Sequence, residues 1–185
     1  MKKESIYPID VVSILGREIL AGRRSGETDF DRLRGHLRAI PEDGVAVLDL
    51  AGAKVLSSSY FLGGMWPLWR SPQGLRGVYP VLANANESIL DEIVFVLESS
   101  GNLIWHLQEE QGKSSARLLG QPDSYDRDLF DLILRSGSLS ARDLHANDSS
   151  IGVTAWSTRL SQHHHNRLLR RAKLGKQQIY TLPWT

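Results

Sequence analysis

The sequence contains no cysteine, which excludes disulfide staples, thiolate zinc sites and redox dithiols. No apolar run approaches the roughly 20 residues of a membrane span. The opening MKKES has lysines but no apolar stretch behind it, so it does not read as a secretory signal. The expectation is a cytoplasmic protein without a membrane partner. Sequence signatures of common catalytic sites are also missing. There is no GxGxxG, no phosphate-binding P-loop and no HExxH, and no cysteine nucleophile. No enzyme and no cofactor are therefore expected. A serine–histidine–acid set stays open as an alternative hydrolase reading, with Ser57, Ser58 and Ser59 beside His36 or His106, although no spacing joins them.

The 185 residues suffice for one large domain or two small ones. With 41% hydrophobic and 23% charged residues, the composition is that of a globular chain. The net charge of +1 conceals an asymmetry. From Met1 to Glu110 acids outnumber bases, fifteen to eleven, whereas Arg159 to Thr185 holds six bases and no acid. An acidic front and a basic tail suggest that the tail alone meets a polyanion.

Residues 1–120 alternate strand and helix signals. DFDRLRGHLRAI (29–40) places Phe30, Leu33, Leu37 and Ile40 on one helical face. GVAVLDL (44–50) is the clearest buried strand. SSYFLGGMWPLWR (58–70) suits a helix weakened or ended by Gly63-Gly64 and Pro67, and GVYPVLANA (77–85) a strand that Pro80 assigns to an edge or a bend. SILDEIVFVLESSG (88–101) is a helix with Ser88 as its cap and Gly101 closing it, followed by a hairpin over 102–120 turning at Gly112. This pattern predicts an α/β (α+β) protein with a mixed sheet.

GQPDSYD (120–126) marks a break, so the domains are expected at 1–120 and 121–185. The second begins with a helix over 122–137 whose inward face is Tyr125, Leu129, Leu132 and Ile133. A second helix (138–148) carries a capping box, Ser140 with Asp143. A third (151–169) has Val153, Trp156, Leu160 and His163/His164 spaced for packing. Strand, turn at Gly175 and strand complete the outline of a winged helix-turn-helix. On the third helix Thr154, Ser157, Thr158, Ser161 and Gln162 share one side, flanked by Arg159 and Arg167, and can meet bases and phosphates. Arg170, Arg171, Lys173 and Lys176 sit where a wing would cross the backbone of duplex DNA. A helical dimerisation module with a polar surface is the plainer alternative.

Consecutive His163, His164 and His165 point about 100° apart on a helix, so they cannot grip one metal together. No metal is expected there. NRLLRR continues the pattern in register, which makes the triplet the end of the third helix.

Two family resemblances follow. Ala141-Arg142-Asp143-Leu144, Ala155 with Ser157 and Arg159-Leu160, Leu168 to Arg171, and Tyr180 with Leu182-Pro183 resemble the bacterial winged-helix pattern. That pattern has leucine where His163 stands, which implies a half-buried packing role for this histidine. VAVLDLAGAKVLSSSYFLGG (45–64) resembles STAS and STAS-like domains of anti-sigma-factor antagonists. In that family a serine at a helix start is phosphorylated by a partner kinase, and nine residues after Asp49 the matching position is Ser58. Ser57 replaces the family's acidic residue and Tyr60 its glycine. The resemblance implies a partner-docking or regulatory segment at Ser57, Ser58 and Ser59, where the elementary role of such a serine is a helix cap. Asp49 reads as structural.

Together these readings predict a bacterial transcriptional regulator: a STAS-like protein-contact domain joined to a DNA-binding winged helix, with a homodimer as a further partner state. The alternative is a signalling scaffold that binds a kinase-like ATPase and no DNA.

Overall fold

The computed structural model describes residues 6–70, 77–110 and 113–185. The MKKES leader reading and the Gly112 turn lie outside the described residues. The protein is mixed α/β with a mixed parallel and antiparallel sheet. It divides into two compact units, Met1–Gln121 and Pro122–Thr185.

The front unit is built on five strands, β1 (Ile6–Asp10), β3 (Val45–Asp49), β5 (Tyr79–Ala83), β6 (Ile104–Glu110) and β7 (Lys113–Leu119), in the order β1-β3-β5-β6-β7. The first four are parallel and β7 returns antiparallel along β6. Between β1 and β3 the chain forms α1 (Val11–Leu15), the short β2 (Ile19–Leu20) and α2 (Arg23–Leu37). After β3 come β4 (Val55–Leu56), which pairs in parallel with β2, then α3 (Ser58–Tyr60), a π-helical turn Phe61–Met65 and α4 (Pro67–Arg70). Helix α5 (Glu87–Ser100) links β5 to β6. The core lies between these helices and the sheet face bearing Ala46, Leu48, Leu82 and Ile104.

Four local expectations need correction. Pro80 lies in a central strand rather than at an edge or bend. Strand donors alternate sides: Tyr79 N–H goes to Gly44 on the β3 side and Asn84 N–H to Leu107 on the β6 side. The missing donor of Pro80 therefore faces β6, whose pairing with β5 begins only at Leu82. The cap of α5 is Asn86, which accepts from Ile89 N–H, not Ser88. Helix α2 starts at Arg23, seven residues before Phe30, where the apolar spacing begins. The Gly63-Gly64 pair does not end a helix. A Cβ on Gly63 would lie 2.6 Å from Arg23 O, and one on Gly26 would lie 2.6 Å from Tyr60 O and 2.8 Å from Gly64 N. The glycines let α2 and the π turn touch backbone to backbone.

The second unit contains α6 (Ser124–Ser136), β8 (Ser138–Leu139), α7 (Ala141–Asn147), α8 (Val153–His165), β9 (Arg170–Leu174) and β10 (Gln177–Thr181). Its sheet runs β8-β10-β9, both pairings antiparallel. The Ser140–Asp143 capping box is present in both directions. Buried Leu129, Phe130, Ile133, Leu139, Leu144, Trp156, Leu160 and Tyr180 supply apolar side chains. Tyr125 is exposed rather than inward, its ring edge-on to Trp156, and Leu132 is only half-buried; Phe130 is the buried residue of that turn. Helix α8 ends four residues before the expected Leu169. Leu168 N–H bonds His163 O and Arg167 N–H bonds His164 O, with Arg167 at φ 63°. This is a Schellman ending with arginine at the left-handed position usually held by glycine.

Candidate nucleic-acid interface and the serine segment

Burial and hydrogen bonding sort the residues of α8. Trp156, Leu160 and His163 face inward. At 100° per residue the opposite arc holds Thr154, Thr158, Ser161 and His165, with Ser157 and Gln162 on its two flanks. Thr154, Ser157, Thr158, Gln162 and His165 are exposed and Ser161 is half-buried, its Oγ 3.3 Å from the Tyr180 hydroxyl.

Arg159 does not belong to this arc. Its Nη1 donates to Asp123 at 2.8 Å and Asp126 at 2.5 Å, tying α8 to the start of α6. Arg167 also leaves the helical face, because it forms the C-terminal turn. The third helix thus offers short polar groups without its two flanking arginines.

In the β9–β10 hairpin, cross-strand register pairs Tyr180 with Arg171 and Gln178 with Lys173. Side chains of paired residues share a face, so Arg171 and Lys173 lie on the Tyr180 face, which meets α8 through Ser161. Arg170 is on the other face, opposite Thr181. Lys176 occupies the tight turn after Gly175, whose φ is 61°. Arg171, Lys173 and Lys176 are exposed, as is Leu174 at the tip.

Beneath the helix lies a polar cluster that the charge pattern did not reveal. Asp126 is buried, and its Oδ1 takes a hydrogen bond from His163 Nε2 at 2.8 Å as well as from Arg159. Burial pushes the Asp126 carboxyl up, but bonds and charge from His163 and Arg159 prevail and hold it below its ordinary range. The packing role expected of His163 is real, with a hydrogen-bond partner added. The one signal available in sequence was an aspartate on the apolar side of α6, three residues before Leu129.

In the front unit Ser57, not Ser58, is the cap. Its Oγ accepts from Tyr60 N–H and Gly22 N–H and lies in hydrogen-bond contact with Ser59 Oγ at 3.2 Å. Ser58 is the first helical residue, and its N–H is taken by Glu92 Oε2 at 2.8 Å. Asp49 has the structural role expected of it, accepting from Ala51 N–H and the Asn84 amide. His106 is buried, and Ala85 N–H occupies its Nε2. Burial, helped by Arg117, lowers it to about 4. His36 is exposed on α2. No hydrogen bond among the described residues links either histidine to Ser57, Ser58 or Ser59. Asp29 joins α2 to α3 by accepting from Tyr60 O–H at 2.7 Å and from Arg17. Burial first, then that bond, pushes the Tyr60 hydroxyl up.

Among the described residues no group of three or more histidine or carboxylate side chains could hold a metal, and no helix is long and apolar enough to cross a membrane. No protein-family model matches the chain, and comparison with curated proteins finds no match.

Proposed function

We propose that this is a bacterial DNA-binding transcriptional regulator of the cytoplasm, with a STAS-like front unit for protein contact and a winged helix-turn-helix tail. One observation carries the reading. The outward arc of α8 bears exposed Thr154, Ser157, Thr158 and Gln162 beside a hairpin bearing Arg171, Lys173 and Lys176, in a segment without acids. Hydroxyls and amides on a helix suit base edges and phosphates, and cations on an adjoining ribbon suit the phosphate backbone. The order helix, strand, helix, helix, hairpin supports the same assignment.

The test is fluorescence anisotropy of a labelled random duplex across a salt series. Neutralising Arg170, Arg171, Lys173 and Lys176 together should flatten the dependence of log affinity on log salt. Three of the four share the α8 side or the tip, so the slope should fall by about 2.7, at 0.9 per phosphate contact. An unchanged slope would mean that the wing does not touch DNA.

A scaffold reading, with a kinase-like ATPase as partner, is favoured by a separate observation. Ser58 contacts Glu92, and one turn further along the two helices Leu62 and Phe95 are exposed, as are the cross-strand pair Ile19 and Val55. Exposed apolar side chains around a serine segment suit protein contact. Ser58→Glu should then change partner binding and leave duplex affinity untouched; loss of duplex affinity in that variant would contradict the division of roles.

A further inference from the structure

The three adjacent histidines have three different fates. His163 is buried on Asp126. His164 places Nδ1 3.0 Å from Leu169 O, inside the turn that ends α8. His165 is exposed, and no hydrogen bond among the described residues engages it. It follows Ser161, Thr158 and Thr154 by four, seven and eleven positions, within about 40° of each on the helix surface. His165 therefore completes the outward face of α8.

We propose that His165 is a proton-dependent phosphate contact, so that duplex binding takes up a proton and tightens as pH falls. The proposal rests on the duplex-binding reading above. Histidine is the side chain whose ordinary titration lies between pH 5 and 8, and its charge is governed by what faces it. Helix α6 packs on the other side of α8, where Asp123 and Asp126 are already joined to Arg159 and His163. On α7, Asp143 is bonded to Ser140 N–H in the capping box and His145 to Ile151 O; Arg142 is its remaining charge. The turn between α7 and α8 holds Asp148, bonded to Ser150 N–H. The sheet meets α8 with the face that bears Arg171 and Lys173, and the chain after α8 adds Arg167 and Arg170. The charges next along the chain and across the sheet are thus cations. A phosphate brought onto this face supplies the anion that the protein withholds. Proton uptake and duplex binding are then linked, each favouring the other by the same factor.

The experiment uses the full chain and a labelled random duplex, with salt series at about pH 6 and about pH 8. In the wild type the log–log slope should be steeper at the lower pH by about 0.9, one phosphate contact. His165→Gln should show the shallow slope at both pH values and His165→Lys the steep slope at both. His164→Gln should keep the wild-type difference. Equal slopes for the wild type at the two pH values, or a difference that survives in His165→Gln, would overturn the role of His165 while leaving duplex binding intact. Absence of duplex binding at both pH values would overturn the regulator reading and this proposal with it.

Discussion

Two helices, one in each unit, end with the same pair of backbone hydrogen bonds. In α5, Gly101 N–H reaches Glu98 O and Asn102 N–H reaches Leu97 O, with Gly101 at φ 62°. In α8, Arg167 and Leu168 make the equivalent bonds to His164 and His163, with Arg167 at φ 63°. Glycine takes that conformation at no steric cost, whereas an L side chain pays about 1–2 kcal/mol. The front unit uses the residue that local sterics prefer. The tail keeps an arginine there while His163 and Asp126 hold the same end of α8 from inside. Each unit buries an aspartate bonded to an arginine, Asp29 to Arg17 in the front and Asp126 to Arg159 in the tail; the larger unit also packs its helices through glycine contacts, and the smaller one adds a buried histidine to its aspartate.

The strongest way to break this contrast is acid, read by amide exchange of each unit within the full chain. His106 is held to about 4, against an ordinary 6.5. Between those values the unfolded chain binds more protons, so front-unit stability should fall as pH drops through 6.5 and continue to fall to about 4. The loss should reach about 3 kcal/mol, at 1.36 kcal/mol per pH unit. Asp126 is held below its ordinary value. Its contribution is complete above the unfolded carboxylate range, near pH 4, and is lost only as pH falls further through the folded value. The front should therefore loosen at a higher pH than the tail. The reverse order would show that His106 is not buried neutral.

Gly26→Ala should cost the front unit about 3 kcal/mol, because the new Cβ meets backbone atoms that cannot rotate away. Denaturant unfolding followed by front-unit amides checks this, and tail amides should not respond. Asp126→Ala should cost the tail about 2 kcal/mol, below the full value of a broken buried pair because Arg159 is partly exposed. Retention of wild-type tail protection would remove the ion cluster from the account. The smallest effects compare the two helix ends and the two serines directly. Gly101→Ala should destabilise by about 1 kcal/mol, the cost of the left-handed L residue that α8 already bears at Arg167. Ser57→Ala should lose about 1 kcal/mol, the worth of a cap, and Ser58→Ala far less. Equal costs for the two serines would return the cap to Ser58.

Much of this could be read from local pattern. The β3 strand, the Ser140–Asp143 box, Gly101 closing α5, the hairpin turn at Gly175 and the inward spacing of Trp156, Leu160 and His163, though not of Val153, which is exposed, all depend on residues within a turn or two of one another. Backbone sterics and helical or pleated periodicity encode such features in adjacent residues. The polar arc of α8 was legible for the same reason, since one helix sets it alone. The rest required partners distant in the chain. Nothing near Pro80 announces that β6 leaves its missing donor unopposed, and nothing near Gly63 names Gly26 as its contact. The short β2 and β4 strands define each other only by pairing across 36 positions. Charge alone put Arg159 on the presumed DNA face; Asp123 and Asp126, more than thirty residues earlier, draw it to the other side of α8. The same aspartate holds His163 in the interior by a hydrogen bond, whereas His165 is exposed. The sequence by itself determined where α7 starts, where α5 closes, where the last hairpin turns and which face of α8 is polar, because those follow from short-range sterics and capping. Only the tertiary structure decided which charges are paired within the fold and which stay exposed, because a Coulombic or hydrogen-bonded pair exists only once two distant segments are packed together.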